Sequence, residues 1–272
     1  MLVFFMLFFV AGNISYSQSI DTESSEHTNF GVDSGVYSGV MLFSTDTNNL
    51  IDDWFKGLTA FGVIDETVPF LNPKSPSLGG QLGDRNNDAI EIRMSHPVYS
   101  IVNNQLWVDA VFVRDQNTNG NFKDSNVFTG GSDKNIDNPS TWTVTKADVP
   151  QKNDIIDVFG HVRREGASVD TDEWIFLGAS TRNANGDSHI DFEIFRGGLE
   201  IVNGQPISEG QESFGGRTPY LFDTTGAVTQ SGDAILSVDY TNGGAQANIR
   251  IYIWLETEEN QILGLKILTA NP

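Results

Sequence analysis

The stretch Gly186-Asp187-Ser188-His189-Ile190-Asp191-Phe192-Glu193-Ile194-Phe195 alternates polar and apolar residues from Ser188 onward. A period of two is the mark of a β-strand with one buried face, because successive side chains leave the backbone on opposite sides. It sets Ile190, Phe192 and Ile194 on an inward face and His189, Asp191 and Glu193 on the other. Two carboxylates on one strand face suit glycoside hydrolysis, cation binding or plain solvent-facing polarity. Asp191 and Glu193 are therefore candidate ligand-binding residues.

Similar runs occur at 89–94, 106–114, 141–145, 174–179, 234–240 and 249–255. In the last of these, Ile249, Ile251, Ile253 and Leu255 predict a buried face opposite Arg250, Tyr252 and Trp254. Residues 154–164 fit either a helical turn or a strand through Ile155, Ile156, Phe159 and Val162. Residues 48–58 carry Leu50, Trp54, Phe55 and Leu58 at helical spacing and predict one short helix. The Pro/Gly-rich residues 72–80 predict a loop. No strand alternates with a long helix, so the expected fold is all-β. Its economical form is an antiparallel β-sandwich of jelly-roll type with at most one or two short helices.

Composition narrows the partners. Across 272 residues, Asp+Glu 36 against Lys+Arg 16 leaves a net charge of -20, which repels nucleic acid and anionic membrane surfaces. There is no cysteine, which rules out disulfides, thiolate metal sites and cysteine nucleophiles. A disulfide-free extracellular domain takes its rigidity from a large core and bound calcium.

The apolar start from Met1 to Val10 reads as the core of a secretory signal too short to span a bilayer. Ser15-Tyr16-Ser17 offers small residues for cleavage, so residues 1–17 are expected as signal peptide. A core strand is the rival reading. No Lys or Arg precedes Lys56, which suggests that Met1 is an internal start. Residues 18–29 predict a flexible lead-in and 30–268 a single β-sandwich domain. The chain stops at Ala270-Asn271-Pro272 without a polar tail, leaving open that it is a piece of a larger exported protein.

The order of segments adds a resemblance. Phe128-Thr129-Gly130-Gly131-Ser132-Asp133-Lys134-Asn135 leads to Trp142 and then to Lys152-Asn153-Asp154-Ile155. Trp174-Ile175-Phe176-Leu177-Gly178-Ala179 and Asn185-Gly186-Asp187-Ser188-His189-Ile190-Asp191-Phe192-Glu193 follow. Then come Gly232-Asp233-Ala234-Ile235-Leu236, Tyr240-Thr241-Asn242-Gly243-Gly244 and Ile251-Tyr252-Ile253-Trp254. Over residues 32–254 this order resembles a β-sandwich module of large exported bacterial surface proteins of Bacteroidetes type, found beside adhesin-type repeats. The resemblance implies a secreted module with no established catalytic activity and no agreed ligand residues.

Three chemistries remain to be weighed. The laminarinase-like jelly-roll hydrolases carry Glu-x-Asp-x-Glu on one strand, with the first Glu as nucleophile and the last as acid/base. A retaining mechanism needs its two carboxyls about 5–5.5 Å apart. Here His189 stands in the nucleophile position before Asp191 and Glu193, so the first group is missing.

Calcium has a better pattern. Asp115, Asn117, Asn119, Asn121 and Asp124 place oxygen donors along a loop with Gly120 sixth, as in EF-hand-type loops. Lys123 at the ninth place and Asn126 at the twelfth depart from that pattern and predict weak affinity. The same residues also suit an Asn/Gly hairpin turn. A second oxygen-rich set is Asp133, Asp137, Asp154 and Asp187, and a third is Asp84 with Asp88. Each Asp alone reads as a turn cap; together they predict at least one structural calcium.

Carbohydrate binding needs exposed aromatic platforms. Trp107, Trp142, Trp174, Tyr252 and Trp254 are available, and Tyr252 with Trp254 lies opposite the isoleucines. The histidines His27, His96, His161 and His189 show no ligand spacing for zinc, and no phosphate loop or nucleophile elbow is present. The expected protein is a secreted or cell-surface, calcium-stabilised, non-catalytic module with an adhesive or structural role. Its partner is an extracellular glycan or another surface protein, with no membrane insertion after signal cleavage. A carbohydrate-binding module is the alternative, and a laminarinase-like glycoside-active enzyme comes third.

Overall fold

A computed structural model describes residues 5–9, 27–31, 52–55, 62–65, 90–115, 123–129, 134–135, 137–150, 152–183, 186–203, 205–210, 215–241 and 246–255. In chain order the strands begin with β1 (Phe5–Phe9), β2 (Asp53–Phe55), β3 (Gly62–Ile64), β4 (Ile90–Arg93), β5 (Ser100–Val102) and β6 (Gln105–Arg114). Next are β7 (Lys123–Thr129), β8 (Thr143–Asp148), β9 (Ile155–Arg164), β10 (Glu173–Thr181), β11 (Ser188–Ile194) and β12 (Leu199–Val202). The last are β13 (Gln205–Ser208), β14 (Leu221–Phe222), β15 (Val228–Gln230), β16 (Ala234–Thr241) and β17 (Gln246–Ile253). The class is all-β, with mostly antiparallel pairing.

Over the span expected as one domain the chain forms two compact units. One holds residues 1–122 and 154–183; the other holds 123–153 and 184–272.

The first unit is built on a sheet in the order β1-β10-β9-β6-β4, with β5 hairpinned onto β6. Asn103 and Asn104, at φ 49° and 64°, make the two-residue turn of that hairpin. A type I′ turn needs positive φ at both central residues, and asparagine tolerates it. On one face of the sheet Phe112, Phe159 and Phe176 meet Phe30, Trp54 and Phe55, with Phe55 5.3 Å from Phe112 and Phe30 4.4 Å from Phe176. Each such ring withdrawn from water contributes about 1.5–3 kcal/mol.

One expectation changes here and one open reading is resolved. Residues 53–55, inside the expected helix, form β2, because Trp54 and Phe55 are both buried in an aromatic core that an extended segment fills. Residues 154–164 resolve to strand β9. Residues 5–9, read as part of a signal peptide, lie parallel to β10, with Phe5 opposite Ile175 and Phe9 opposite Ala179.

The second unit holds the three-stranded sheet β11-β16-β17 and the hairpins β7–β8, β12–β13 and β14–β15. A 3-10 turn, Pro139–Thr141, is capped by Asn138, whose side chain accepts from the Ser140 amide at 2.9 Å. Ile190, Val238 and Leu236 are buried on one sheet face, as the alternation of β11 predicts.

Candidate functional site

Register turns the polar face of β11 into rows. Opposite His189 stand Asp239 and then Asn248; opposite Asp191, Ser237 and Arg250; opposite Glu193, Ile235 and Tyr252. Directly paired residues share a face, so six ionisable groups collect on one side of the second unit's sheet.

Each carboxylate there is closed by a cation or a donor. His189 bridges two of them, with Nε2 2.8 Å from Asp191 Oδ2 and Nδ1 2.8 Å from Asp239 Oδ1. Arg250 Nη1 donates to the other oxygen of Asp239 at 2.7 Å. Asn135 Nδ2 donates to Asp191 Oδ2 at 2.6 Å. Glu193 Oε2 lies 2.7 Å from Arg217 Nη1, a guanidinium that is 1% exposed.

These contacts set the protonation states. The hydrogen bond to Asp191, set against partial burial and helped by Asp239, raises the His189 pKa to about 9, so the ring is an imidazolium at neutral pH. Burial pushes Asp191 upward, but hydrogen bonds from His189, Asn135 and Ser237 outweigh it and hold the carboxyl below its ordinary value. Burial raises Glu193, with Arg217 opposing. Asp233 is likewise raised by burial, although the amides of Arg196 and Thr218 donate to it at 2.7 and 3.0 Å.

Asp191 and Glu193 thus share a face as the sequence predicts, but their side chains are only 16% and 13% exposed. A general acid must present its proton to a substrate oxygen, and a nucleophile must reach a carbon. Here one carboxylate is tied to an imidazolium and the other to a buried guanidinium.

Trp254 is not a platform. Strand β17 ends at Ile253; the Trp254 amide donates to the Asp233 carbonyl at 3.0 Å, and its ring lies 4.6 Å from the Arg217 guanidinium. At 7% exposure it is core, whereas Ile249, expected inside, is 48% exposed. The indole is buried because the Arg217 guanidinium, paired with Glu193, covers it. Tyr252 stays on the polar face, with its hydroxyl bonded to Arg250.

The proposed calcium donors divide. Asn117, Asn119, Asn121 and Asp133 lie outside the described residues, as do Asp84 and Asp88. Asp115 follows β6, its amide donating to the Ile156 carbonyl at 2.8 Å. Asp124 pairs with Ala147 in the β7–β8 ladder. Asp154, in the first unit, is 2.5 Å from Arg182 Nε. Asp187, in the second, accepts from Lys152 Nζ at its carbonyl, 2.6 Å away. Among the described residues no group of three His, Asp or Glu side chains is arranged to hold a metal ion.

Sequence reading missed Arg217, Asp239 and Arg250. The signal was present for the last two: alternation in 234–240 and 249–255 puts Asp239 and Arg250 on the faces opposite Val238 and Ile249. Arg217 lies in a turn after Gly215 and Gly216, where no periodicity operates. No protein family, curated protein or solved structure matches this chain.

Proposed function

We propose that this chain is a non-catalytic β-sandwich module of jelly-roll type that works outside the cell or at its surface, binding or holding rather than turning over. The observation that supports it is the internal neutralisation of Asp191 by His189 and of Glu193 by Arg217. Groups so engaged serve the fold: the Glu193–Arg217 pair joins β11 to a turn, and His189, paired with Asp191 on its own strand, also reaches Asp239 on β16. The order of segments that resembles exported adhesin-associated modules agrees with this role, and calcium in the loop over residues 115–124 is its proposed stabiliser. The expected partner is a glycan or another surface protein.

Incubation with a panel of β-glucans tests the reading. New reducing ends should not exceed the blank; turnover that is abolished by Glu193→Gln would overturn it. A glycan-binding role is the second reading, and it is favoured by an open polar cleft at one end of the β11-β16-β17 sheet.

A further inference from the structure

The large sheet of the first unit has β10 next to its end, paired with β9 on one side and with β1 on the other. The β1 ladder runs in parallel from Phe5 opposite Ile175 to Phe9 opposite Ala179. Without residues 5–9, β10 becomes the outermost strand on that side among the described residues. A strand suited to an edge carries a charge, a proline or a bulge, because free amides and carbonyls otherwise template pairing with another chain. Trp174-Ile175-Phe176-Leu177-Gly178-Ala179 has no charge and no proline, and the one register shift of β10 comes later, between Ser180 and Thr181. Glu173 does stand before the run, but Arg164 pairs with it at 2.6 Å. An unbroken apolar run of this kind belongs to a covered, interior strand. Trp174, Phe176 and Ala179 are indeed buried. Sequence and packing both mark β10 as a strand that needs a neighbour.

That neighbour lies inside residues 1–17, the segment that export is expected to remove. Cleavage takes β1 away and leaves the β10 edge without its ladder partner. An edge in that state is completed by strand addition: an extended segment from elsewhere restores the backbone bonds, and its alternate side chains supply the fit. The chain holds a segment of that kind after Leu255, the last described residue. In Ile262-Leu263-Gly264-Leu265-Lys266-Ile267-Leu268, Leu263, Leu265 and Ile267 recur at the strand period of two. Glu256-Thr257-Glu258-Glu259-Asn260-Gln261 precedes it, and a polar tether with three like charges repels itself and extends.

Each processed copy therefore carries one bare edge and one segment able to fill it. We propose that the exported protein assembles by strand donation: residues 262–268 of one copy add to the β10 edge of the next, in the place that β1 holds here. The contact joins different surfaces of the two copies, so it repeats head to tail rather than closing as a symmetric pair. The uncleaved chain covers its own edge with β1 and stays single, which keeps assembly from starting before export. The proposal rests on the reading of the chain as an exported protein relieved of residues 1–17.

The test is sedimentation velocity of the processed chain, residues 18–272, beside the whole chain produced without export. The processed chain should form species of at least about twice the mass of one copy, growing with concentration, while the whole chain stays a monomer. Leu265→Pro/Lys266→Pro should return the processed chain to the monomer: successive amides of a strand point to opposite sides, so one proline must remove a bond to β10. An excess of a synthetic peptide of residues 260–270 should do the same by occupying the edge. If the processed chain does not fold, Leu7→Pro/Phe8→Pro in the whole chain frees the edge with every residue in place, and that variant should associate. A monomeric processed chain, association that survives Leu265→Pro/Lys266→Pro, or equal association of the whole chain would each overturn the proposal. Mass spectrometry of the chain recovered outside an expressing bacterium separates the two readings. No exported chain, or one that keeps Met1, overturns processed export and strand donation together. A chain that begins after residue 17 and stays monomeric overturns strand donation alone.

Discussion

Arg217 Nη1 lies 2.7 Å from Glu193 Oε2, and the Trp254 ring lies 4.6 Å from the same guanidinium. Phe195 and Trp142 stand 5.4 and 5.8 Å away, so a nearly solvent-free cation sits among three aromatic rings with one carboxylate as its counter-ion. Planar, weakly hydrated guanidinium suits this setting where an ammonium would not. The arrangement ties β11 to the turn before β14 and to the end of β17. It uses the very glutamate that a glycosidase would need at the acid/base position.

Removal of Arg217 should therefore be costly. Arg217→Met leaves Glu193 mostly buried and uncompensated, and loss of one partner of a buried pair typically costs about 3–5 kcal/mol. Urea unfolding followed by tryptophan fluorescence measures it. The double variant Arg217→Met/Glu193→Leu should recover part of that loss, because no charge is then left stranded. A single variant as stable as the parent would show that the pair contributes nothing.

His189 predicts a pH dependence of its own. Its folded pKa of about 9 lies above the ordinary 6.5, so the fold binds the proton more tightly than the unfolded chain does. The stability this contributes is fully present below 6.5 and is lost as pH rises through about 9. The side chain is 53% exposed, so solvent screens the pairs and the effect should be small. His189→Asn should flatten the stability profile between those limits, and a proton NMR titration of the ring should give a midpoint near 9. A midpoint near 6.5 would mean that the bridge to Asp191 and Asp239 is absent in solution.

The legible parts of this protein were those where one physical rule acted alone. All seven strand runs overlap strands of the fold, although the buried face that alternation promises is present in β11 at Ile190 and missing in β8. Residues 53–55 misled because Trp54 and Phe55 satisfy helical spacing and a short buried strand equally well. The β11 polar face was legible as a face, yet its chemistry was not. Whether Asp191 and Glu193 are open or closed depends on Asn135, Arg217 and Asp239, which are brought in from 56, 24 and 48 positions away respectively by pairing and loop closure. Trp254 misled because alternation does not show that Arg217, brought from a distant turn, covers its ring.

Calcium removal tests the loop over residues 115–124. Its Asn-for-Asp donors predict weak affinity, in the range of about 10⁻⁴–10⁻³ M seen for extracellular modules. Melting in millimolar calcium should exceed melting in EDTA by a few degrees, and Asp115→Asn should abolish the difference. Identical curves in calcium and EDTA would end the calcium proposal.

The first unit carries the sharpest prediction, because a buried charged cluster sits beside its aromatic core. On the buried face of β9, Phe159 is followed at period two by His161 and Arg163, at 1% and 0% exposure. Arg163 Nη1 donates to Asp52 Oδ2 at 2.8 Å, to the Thr28 carbonyl at 2.7 Å and to Gln105 Oε1 at 3.1 Å. Its guanidinium lies 4.5 Å from the Trp107 ring. Burial pulls the Arg163 pKa down to about 10, still far above neutrality, so the cation persists. His161 completes the cluster as a neutral ring: Arg163 Nε donates to its Nε2 at 2.7 Å, and its Nδ1 donates to the Asp109 carbonyl at 2.8 Å. Burial, reinforced by the Arg163 charge, holds the His161 pKa well below 6.5. A base with a depressed folded pKa binds its proton better when unfolded, so its contribution to stability is lost as pH falls below 6.5. Asp52, raised by burial, works in the opposite sense only at lower pH, as its own carboxyl takes up a proton. The urea midpoint reported by fluorescence of the first unit's tryptophans should therefore fall between about pH 7 and pH 5, the window set by an ordinary histidine. His161→Gln should lower the midpoint at pH 7 yet remove most of that slope, while Asp52→Asn should keep it. An unchanged slope in His161→Gln would place the acid sensitivity elsewhere and refute the neutral, doubly hydrogen-bonded ring.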